Sequence, residues 1–368
     1  MEKLKESGKP KLIIWGTGET AGHFLDAKIF YTEYDVIAFV DNNPAMWGKK
    51  LMDISVIKPE ILTQIEFDKV IICSFIYQKE IYRQLREEIG IENEKIWFYS
   101  DAEELVSKKL VGKYQNCTDS EIQTILSCYQ KNGFQIYGSY FSEKEENYIV
   151  TREIDGMPFV WFEGKKMYFP KDYKFLREND KEYVSNILYE QGDGSPHRYI
   201  RKGDDIPKNG VIVDAGVCEG NFALRYIDKV KKIYLIESDP RWVEALNRTF
   251  YYWKDKVVIC NKFLTSYNSA HSITLDNLVQ EEIDFLKMDI EGEEIAALLG
   301  GKQILQSSRA KCSICSYHRQ NDEENIRFIL EALGYRTSTS EGYMFYIFDK
   351  HICDTMDFRR GIVYGDKI

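Results

Sequence analysis

The chain has 368 residues, of which 44% are hydrophobic, 14% aromatic and 29% charged, and its formal net charge is -10. That length suits two domains and that composition supplies a core, which excludes a disordered chain. The acidic balance excludes a broad nucleic-acid footprint, which needs a basic surface.

The first ten residues, Met1 to Pro10, are polar and lysine-rich and lack the apolar centre of a signal peptide. No apolar run reaches the length of a membrane span, so the expected location is the cytoplasm. The 8 cysteines are scattered and are expected to be reduced. Cys312 and Cys315 form a lone C-x-x-C inside the apolar run Cys312 to Tyr317. A core strand explains it better than a metal or redox site, because no second pair or histidine cluster accompanies it.

Lys11 to Trp15 reads as a buried strand that runs into Gly16-Thr17-Gly18 and a helix from about Glu19 to Ala27. Tyr34 to Val40 is a second strand, ending in Asp41. Lys69 to Ser74 and Lys95 to Tyr99 are further strands, with a helix from about Gln78 to Ile89 between them. Strands alternating with helices predict a parallel sheet with helices on its faces. A small Rossmann-like domain is therefore expected over residues 1–100. The glycine spacing is one residue longer than the usual dinucleotide fingerprint. The segments "IIWGTGETAGHF", "FVDNNP" and "GKKLMDISVIKPE" resemble the N-terminal sugar-nucleotide-binding domains of bacterial sugar N-acetyltransferases. That resemblance implies that Gly16, Gly18 and Asp41 face a nucleotide or nucleotide-sugar. The other reading is a domain that only packs.

Residues 101–190 read as a connecting region. Asp101 to Gly112 is a charged helix, and Ser120 to Lys131 carries Ile122, Ile125, Leu126 and Tyr129 at helical spacing. From Phe134 to Phe169 aromatic and polar residues alternate around "DG" and "EG" turns, which predicts hairpins. Their tyrosines and Trp161 offer either a sugar-binding face or a small packed sheet. Lys181 to Gln191 reads as a helix, followed by a loop through His197.

Residues 191–368 carry the chemistry. Val211 to Val213 is a buried strand ending in Asp214, and Gly216 and Gly220 make a turn that leads into a helix. Lys232 to Ile236 is a second strand ending in Glu237. A glycine turn after the first strand and a carboxylate after the second suit a nucleoside cofactor, whose ribose hydroxyls the carboxylate accepts. Ile283 to Asp289 is another strand, followed by Glu291-Gly292-Glu293-Glu294, and Cys312 to Tyr317 runs up to His318. Tyr335 to Ser340 and Met344 to Asp349 are expected to pair antiparallel. The predicted class is α/β: a seven-stranded sheet with one reversed strand, a small N-terminal parallel-sheet domain and a β-rich connection.

The segments "VIVDAGVCEGNF", "IYLIESDP", "TLDNL", "IDFLKMDIEGEEIAALLGG" and "SYH" resemble the FkbM family of S-adenosylmethionine-dependent methyltransferases over about residues 190–350. Val217-Cys218-Glu219 departs from the family, where a small or amide residue is common. The resemblance implies a class I methyltransferase sheet, with Asp214, Gly216, Gly220, Glu237 and Asp289 around the cofactor. It also implies a reaction centre of Asp289, Glu291 and His318. Lys287, in an apolar strand, is a further catalytic candidate or else a neutralising partner for Asp289 or Glu237. Carboxylates and a histidine at strand ends suit proton removal from a hydroxyl, with His318 as first candidate base. Asp289, Glu291 and His318 are alternatively a site for a divalent cation such as magnesium. The expected activity is methyl transfer to a hydroxyl of a sugar, nucleotide-sugar or glycan precursor, as carbohydrate modification in polysaccharide biosynthesis. Expected partners are that small-molecule or glycan acceptor and a second copy of the chain. The alternatives are an NAD-dependent sugar-nucleotide oxidoreductase or epimerase, against which no Tyr-x-x-x-Lys dyad follows the first domain, and a non-catalytic nucleotide-binding scaffold.

Overall fold

The computed structural model describes residues 8–141, 146–203 and 205–368. Most of the polar N-terminal segment therefore lies outside the described residues. The chain divides into two compact units: residues up to Ile136 together with Tyr346–Asp357, and Tyr137–Phe345 together with Phe358–Ile368. This differs from the expected boundaries at 100 and 190. The helices after residue 98 join the first unit, the β-rich stretch joins the second, and a late segment returns to the first.

The first unit is built on β1 (Lys11–Trp15), β2 (Asp35–Val40), β3 (Lys50–Leu51), β4 (Ile54–Ile57), β5 (Lys69–Ile72) and β6 (Ile96–Phe98). They form one sheet in the order β3-β4-β2-β1-β5-β6. β1 pairs parallel with both β2 and β5, and β3 runs against β4. Leu12, Ile13 and Ile14 are fully buried in succession, the pattern of a parallel strand covered on both faces. The turn into α1 (Glu19–Asp26) needs a glycine: Gly16 has φ +122, and a Cβ there would lie 2.7 Å from the Cys73 carbonyl oxygen. The helices α2 (Gln78–Arg83), α3 (Tyr99–Tyr114) and α4 (Ser120–Asn132) follow. Asp119 caps α4 by accepting from the Glu121 and Ile122 amides. A short helix at Ile352–Thr355 completes the unit.

In the second unit, β7 (Asn147–Ile149), β8 (Thr151–Arg152), β9 (Pro158–Phe162), β10 (Lys165–Tyr168), β11 (Leu176–Glu178) and β12 (Lys181–Ser185) make two three-stranded sheets. The hairpins expected before Phe169 are present. Met157, Phe159 and Tyr168 pack with Ala245 and Trp242, so this face is largely internal, although Trp161 remains exposed. The helix expected over Lys181 to Gln191 is not: β12 pairs antiparallel with β11 there. The reason is the turn before it. Asn179 and Asp180 both take left-handed conformations, with φ +47 and +62, which is the geometry of a two-residue hairpin.

The principal sheet contains β13 (Val211–Ala215), β14 (Lys232–Ile236), β15 (Val257–Cys260), β18 (Phe285–Met288), β19 (Lys311–Cys315), β20 (Tyr335–Thr339) and β21 (Ile362–Lys367), in the order β15-β14-β13-β18-β19-β21-β20. β16 (Phe263–Leu264) and β17 (Ser272–Ile273) pair separately. The connecting helices are α5 (Asn221–Tyr226), α6 (Pro240–Thr249), α7 (Leu275–Leu278), α8 (Glu294–Leu299), α9 (Lys302–Ser307) and α10 (Asp322–Ala332). β21 runs antiparallel to both its neighbours. It is β21, and not Met344 to Asp349, that pairs with β20. Met344 makes only an isolated bridge to Arg359. Both candidate segments are apolar and bury side chains, so apolar character alone could not separate them.

β13 lies in the interior of the sheet, with β14 on one side and the central strand β18 on the other. The C-terminal ends of β13, β14, β18 and β19 share one edge, where α/β sheets bind ligands. Val213, Leu286 and Ile314 form part of the core beneath that edge. Replacing Ile314, which is fully buried, with alanine is expected to lower stability by about 2–5 kcal/mol. Urea titration should show a lower midpoint with an unchanged slope.

Candidate active site

The β13–β18 register sets Asp214 opposite Lys287. Their side chains form a buried ion pair at 3.1 Å. The Lys287 ammonium also donates to the carbonyls of Gly216 at 2.5 Å and Ala215 at 3.3 Å. Burial alone would lower the lysine's pKa; Asp214 and Asp289 outweigh that and raise it. Gly216 has φ +75, and a Cβ there would lie 1.6 Å from the Asp289 carbonyl oxygen, so only glycine lets the ends of β13 and β18 come this close. At the end of β14, Glu237 accepts from the Cys218 amide at 3.0 Å and the Asp239 amide at 2.8 Å. These bonds tie the glycine turn to the neighbouring strand.

Asp289 is the centre of a row of alternating charges. Glu190 lies 3.3 Å from His197 Nδ1, and His197 Nε2 lies 3.4 Å from Asp289 Oδ2. On its other side, Asp289 Oδ1 is 3.3 Å from His318 Nε2, and His318 Nδ1 is 3.1 Å from Glu294. The Tyr199 hydroxyl donates to Asp289 at 2.7 Å and the Tyr317 hydroxyl at 3.2 Å. Burial would raise the Asp289 carboxyl, but the hydrogen bond and charge of His197, with His318 and Lys287, hold it well below the carboxylate range. Burial would lower His197; Glu190 and Asp289 prevail and raise it to about 10. His318 is likewise raised against burial, by Glu294 and Asp289. Glu190, His197 and Asp289 are therefore charged at neutral pH.

A cavity of about 790 Å³ opens beside this row. Its lining includes Ile236, Glu237, Lys262, Phe263 and Leu264 as well as Tyr137, Glu190, Tyr199, Lys287, Asp289 and Glu291. Its size suits a cofactor with a small acceptor. The residues fit a nucleoside carrying a positive charge: an apolar wall, a strand-end carboxylate for hydroxyls, and an anionic floor. They do not fit magnesium. Among the described residues, the close donor groups are His197, Asp289, Cys315 and Asp289, Glu294, His318. Magnesium takes oxygen donors, whereas each group includes a histidine. His197 is held protonated between carboxylates, neighbouring carboxylates shift His318 towards its protonated form, and burial keeps the Cys315 thiol protonated.

The structure brings most of the sequence-predicted residues to this edge but separates their roles. Gly216, Glu237, Lys287, Asp289 and Glu291 line the cavity. Asp214 does not; it is consumed by Lys287. Gly220 does not either. Its place is set by packing, since a Cβ would lie 2.8 Å from Leu246. His318, the first candidate base, is buried between Asp289 and Glu294 and is not a lining residue. Glu291 lies 3.6 Å from His318 with its side chain 78% exposed, while Glu294 is the closer and buried partner. Glu190, His197, Tyr199 and Tyr137 were missed. Glu190, His197 and Tyr199 come from a loop and its flanks, and Tyr137 from a separate turn, where no periodicity marks a side chain's direction. The signal available was a histidine and two acids in a short stretch rich in tyrosine.

In the first unit, Gly16 and Gly18 form the turn before α1, as expected. The Thr17 hydroxyl donates to the Asp41 carboxylate, which also accepts from the Asn43 amide at 2.8 Å. Asp41 thus already organises its own loop.

Residues 234–337 match the family model described as "Methyltransferase FkbM domain", and residues 8–97 match "C2185-like, N-terminal". No curated protein matches the chain. Among solved structures, methyltransferase FkbM from Methylobacillus flagellatus KT is 15% identical, with 97% of this chain and 90% of that chain covered and a TM-score of 0.44. The fibrillarin pre-rRNA processing protein of Methanococcus jannaschii is 15% identical over 61% of this chain and 99% of that chain, with a TM-score of 0.33. Magnesium protoporphyrin IX methyltransferase from Synechocystis PCC 6803 with bound SAM is 13% identical over 45% and 73%, with a TM-score of 0.32.

The raised pKa of His197 sets a pH window for stability. Its ion pairs stabilise fully below 6.5, its ordinary value, and that contribution is lost as pH rises through about 10. His197→Gln should therefore be less stable than wild type at pH 6, and the difference should narrow towards pH 10. Urea titrations at several pH values check this; a gap that widens with pH contradicts it.

Proposed function

We propose that this chain, an S-adenosylmethionine-dependent methyltransferase with an FkbM domain, methylates a hydroxyl of an uncharged sugar or glycan precursor. The observation that carries the reading is the meeting of Glu237, Gly216 and Asp289 in one cavity at the C-terminal edge of the sheet.

When bound, S-adenosylmethionine supplies an electrophilic methyl group on a positively charged sulfur. The chain's own residues do the rest. Glu237 has oxygens placed to accept from ribose hydroxyls, with Ile236, Phe263 and Leu264 as an apolar wall for the base. Asp289, kept ionised by its two imidazoles and two phenols, presents a fixed negative charge that needs no reorganisation during the reaction. The tyrosines Tyr137, Tyr173, Tyr189 and Tyr199 give flat faces suited to a sugar ring.

The charge of the lining narrows the acceptor. Glu190, Glu219, Glu237, Asp289, Glu291 and Glu293 face two lysines, Lys262 and Lys287, and Lys287 is already paired with Asp214. A diphosphate would be repelled, so a neutral glycoside suits the cavity better than a nucleotide-sugar.

Calorimetry should show wild type binding S-adenosylmethionine and S-adenosylhomocysteine, with Glu237→Ala weakened about 10-fold or more, the scale of one lost charged hydrogen-bond pair. Labelled-methyl transfer should favour neutral glycosides over UDP-sugars. Unchanged binding by Glu237→Ala sinks the ribose assignment, and a preference for UDP-sugars sinks the neutral-acceptor assignment.

A further inference from the structure

The cavity's acids are not equivalent. Glu190 accepts from the Tyr137 hydroxyl at 2.7 Å and pairs with His197. Glu237 accepts two backbone amides, and Glu293 pairs with Arg319 at 3.0 Å. Asp289 is saturated by two phenols and two imidazoles. Glu219 differs from all of these. Among the described residues, no other side chain forms a hydrogen bond or ion pair with its carboxylate. It nevertheless lines the cavity, and the turn that carries it is fixed by left-handed conformations at Gly216, Cys218 and Gly220, with φ +75, +50 and +80.

We propose that Glu219 takes the acceptor's proton during methyl transfer, and that the positive charge of the bound donor ionises it beforehand. This rests on the methyltransferase reading above. The other candidates are already committed: Asp289 and Glu190 are held as anions by His197, and His318 is buried between Asp289 and Glu294 and does not line the cavity. Burial lifts the Glu219 carboxyl to about 7. The charged groups facing it are Glu190 and Asp214, which favour the proton, and Lys287, which opposes it. A cation placed in the cavity adds to the effect of Lys287 and drives the proton off. A base poised near working pH is the efficient one.

The reaction balances. An acceptor hydroxyl and a sulfonium give a methyl ether, a neutral thioether and one proton. The new C–O bond forms as the C–S bond breaks, and sulfur keeps that electron pair. Glu219 receives the proton. The loss of positive charge at sulfur at the same moment makes the carboxylate a stronger base, so proton uptake and methyl transfer favour each other.

Calorimetry on the full chain at pH 7, in two buffers of different ionisation enthalpy, tests this without an acceptor. S-adenosylmethionine should release about half a proton on binding, and neutral S-adenosylhomocysteine almost none. Glu219→Gln should bind S-adenosylmethionine within a few-fold of wild type but release no proton, and Glu219→Asp should restore part of the release. With a glycoside accepted in the transfer assay, Glu219→Gln should lose about 100-fold or more in kcat. Proton release by Glu219→Gln equal to wild type, or none by wild type, overturns the proposal. If neither compound binds wild type, the donor assignment fails first and this proposal falls with it.

Discussion

The second unit depends on keeping one largely enclosed carboxylate, Asp289, charged at the wall of the cavity. An anion mostly withdrawn from water and left without partners tends to take up a proton instead. Asp289 avoids this because cations and donors reach it from several directions. Tyr199 and His197 come from the chain before β13, Lys287 from β18 itself, and Tyr317 and His318 from the turn after β19. Glu190 and Glu294 then stand beyond the two imidazoles, so that neither cation is left unbalanced. Such a row is held together collectively. Removing one partner of a buried pair strands the other, at a cost of about 3–5 kcal/mol.

The same row links the fold to the chemistry. A parallel sheet delivers the ends of β13, β14, β18 and β19 to one edge, and glycine at 216 lets β13 approach β18 closely enough for Asp214 to meet Lys287. The negative floor made there does not change its protonation near neutrality. That constancy suits an electrostatic role and disqualifies Asp289 as an exchanger of protons. Proton transfer then needs a group without such partners, and the glycine turn carries one. Fixed charge and mobile proton are thus assigned to different carboxylates lining one cavity, by burial and neighbours alone.

The legible part of the sequence was the part with a regular signal. The apolar runs at Val211, Lys232 and Phe285, each closed by an acid, gave three strands and the residues at their ends. The glycine at 216 announced a close approach, and "KMDIEGEE" announced the floor of the site. His197, Tyr199 and Glu190 were not legible, because a loop has no period from which to read a side chain's direction. β12 was taken for a helix because its Asn179-Asp180 turn was overlooked. The partner of β20 was misassigned because two late segments are equally apolar, and only the sheet could choose between them. His318 is legible as a group following a strand end, while its burial between Asp289 and Glu294 cannot be read from composition.

A crystal structure of the chain with S-adenosylhomocysteine bound is the most direct test that this edge is the methyl-donor site. The ribose hydroxyls should lie on Glu237, and the sulfur should face the space between Glu219 and Asp289. A ligand seated away from this cavity, or one whose sulfur is separated from both carboxylates by the body of the nucleoside, would contradict it.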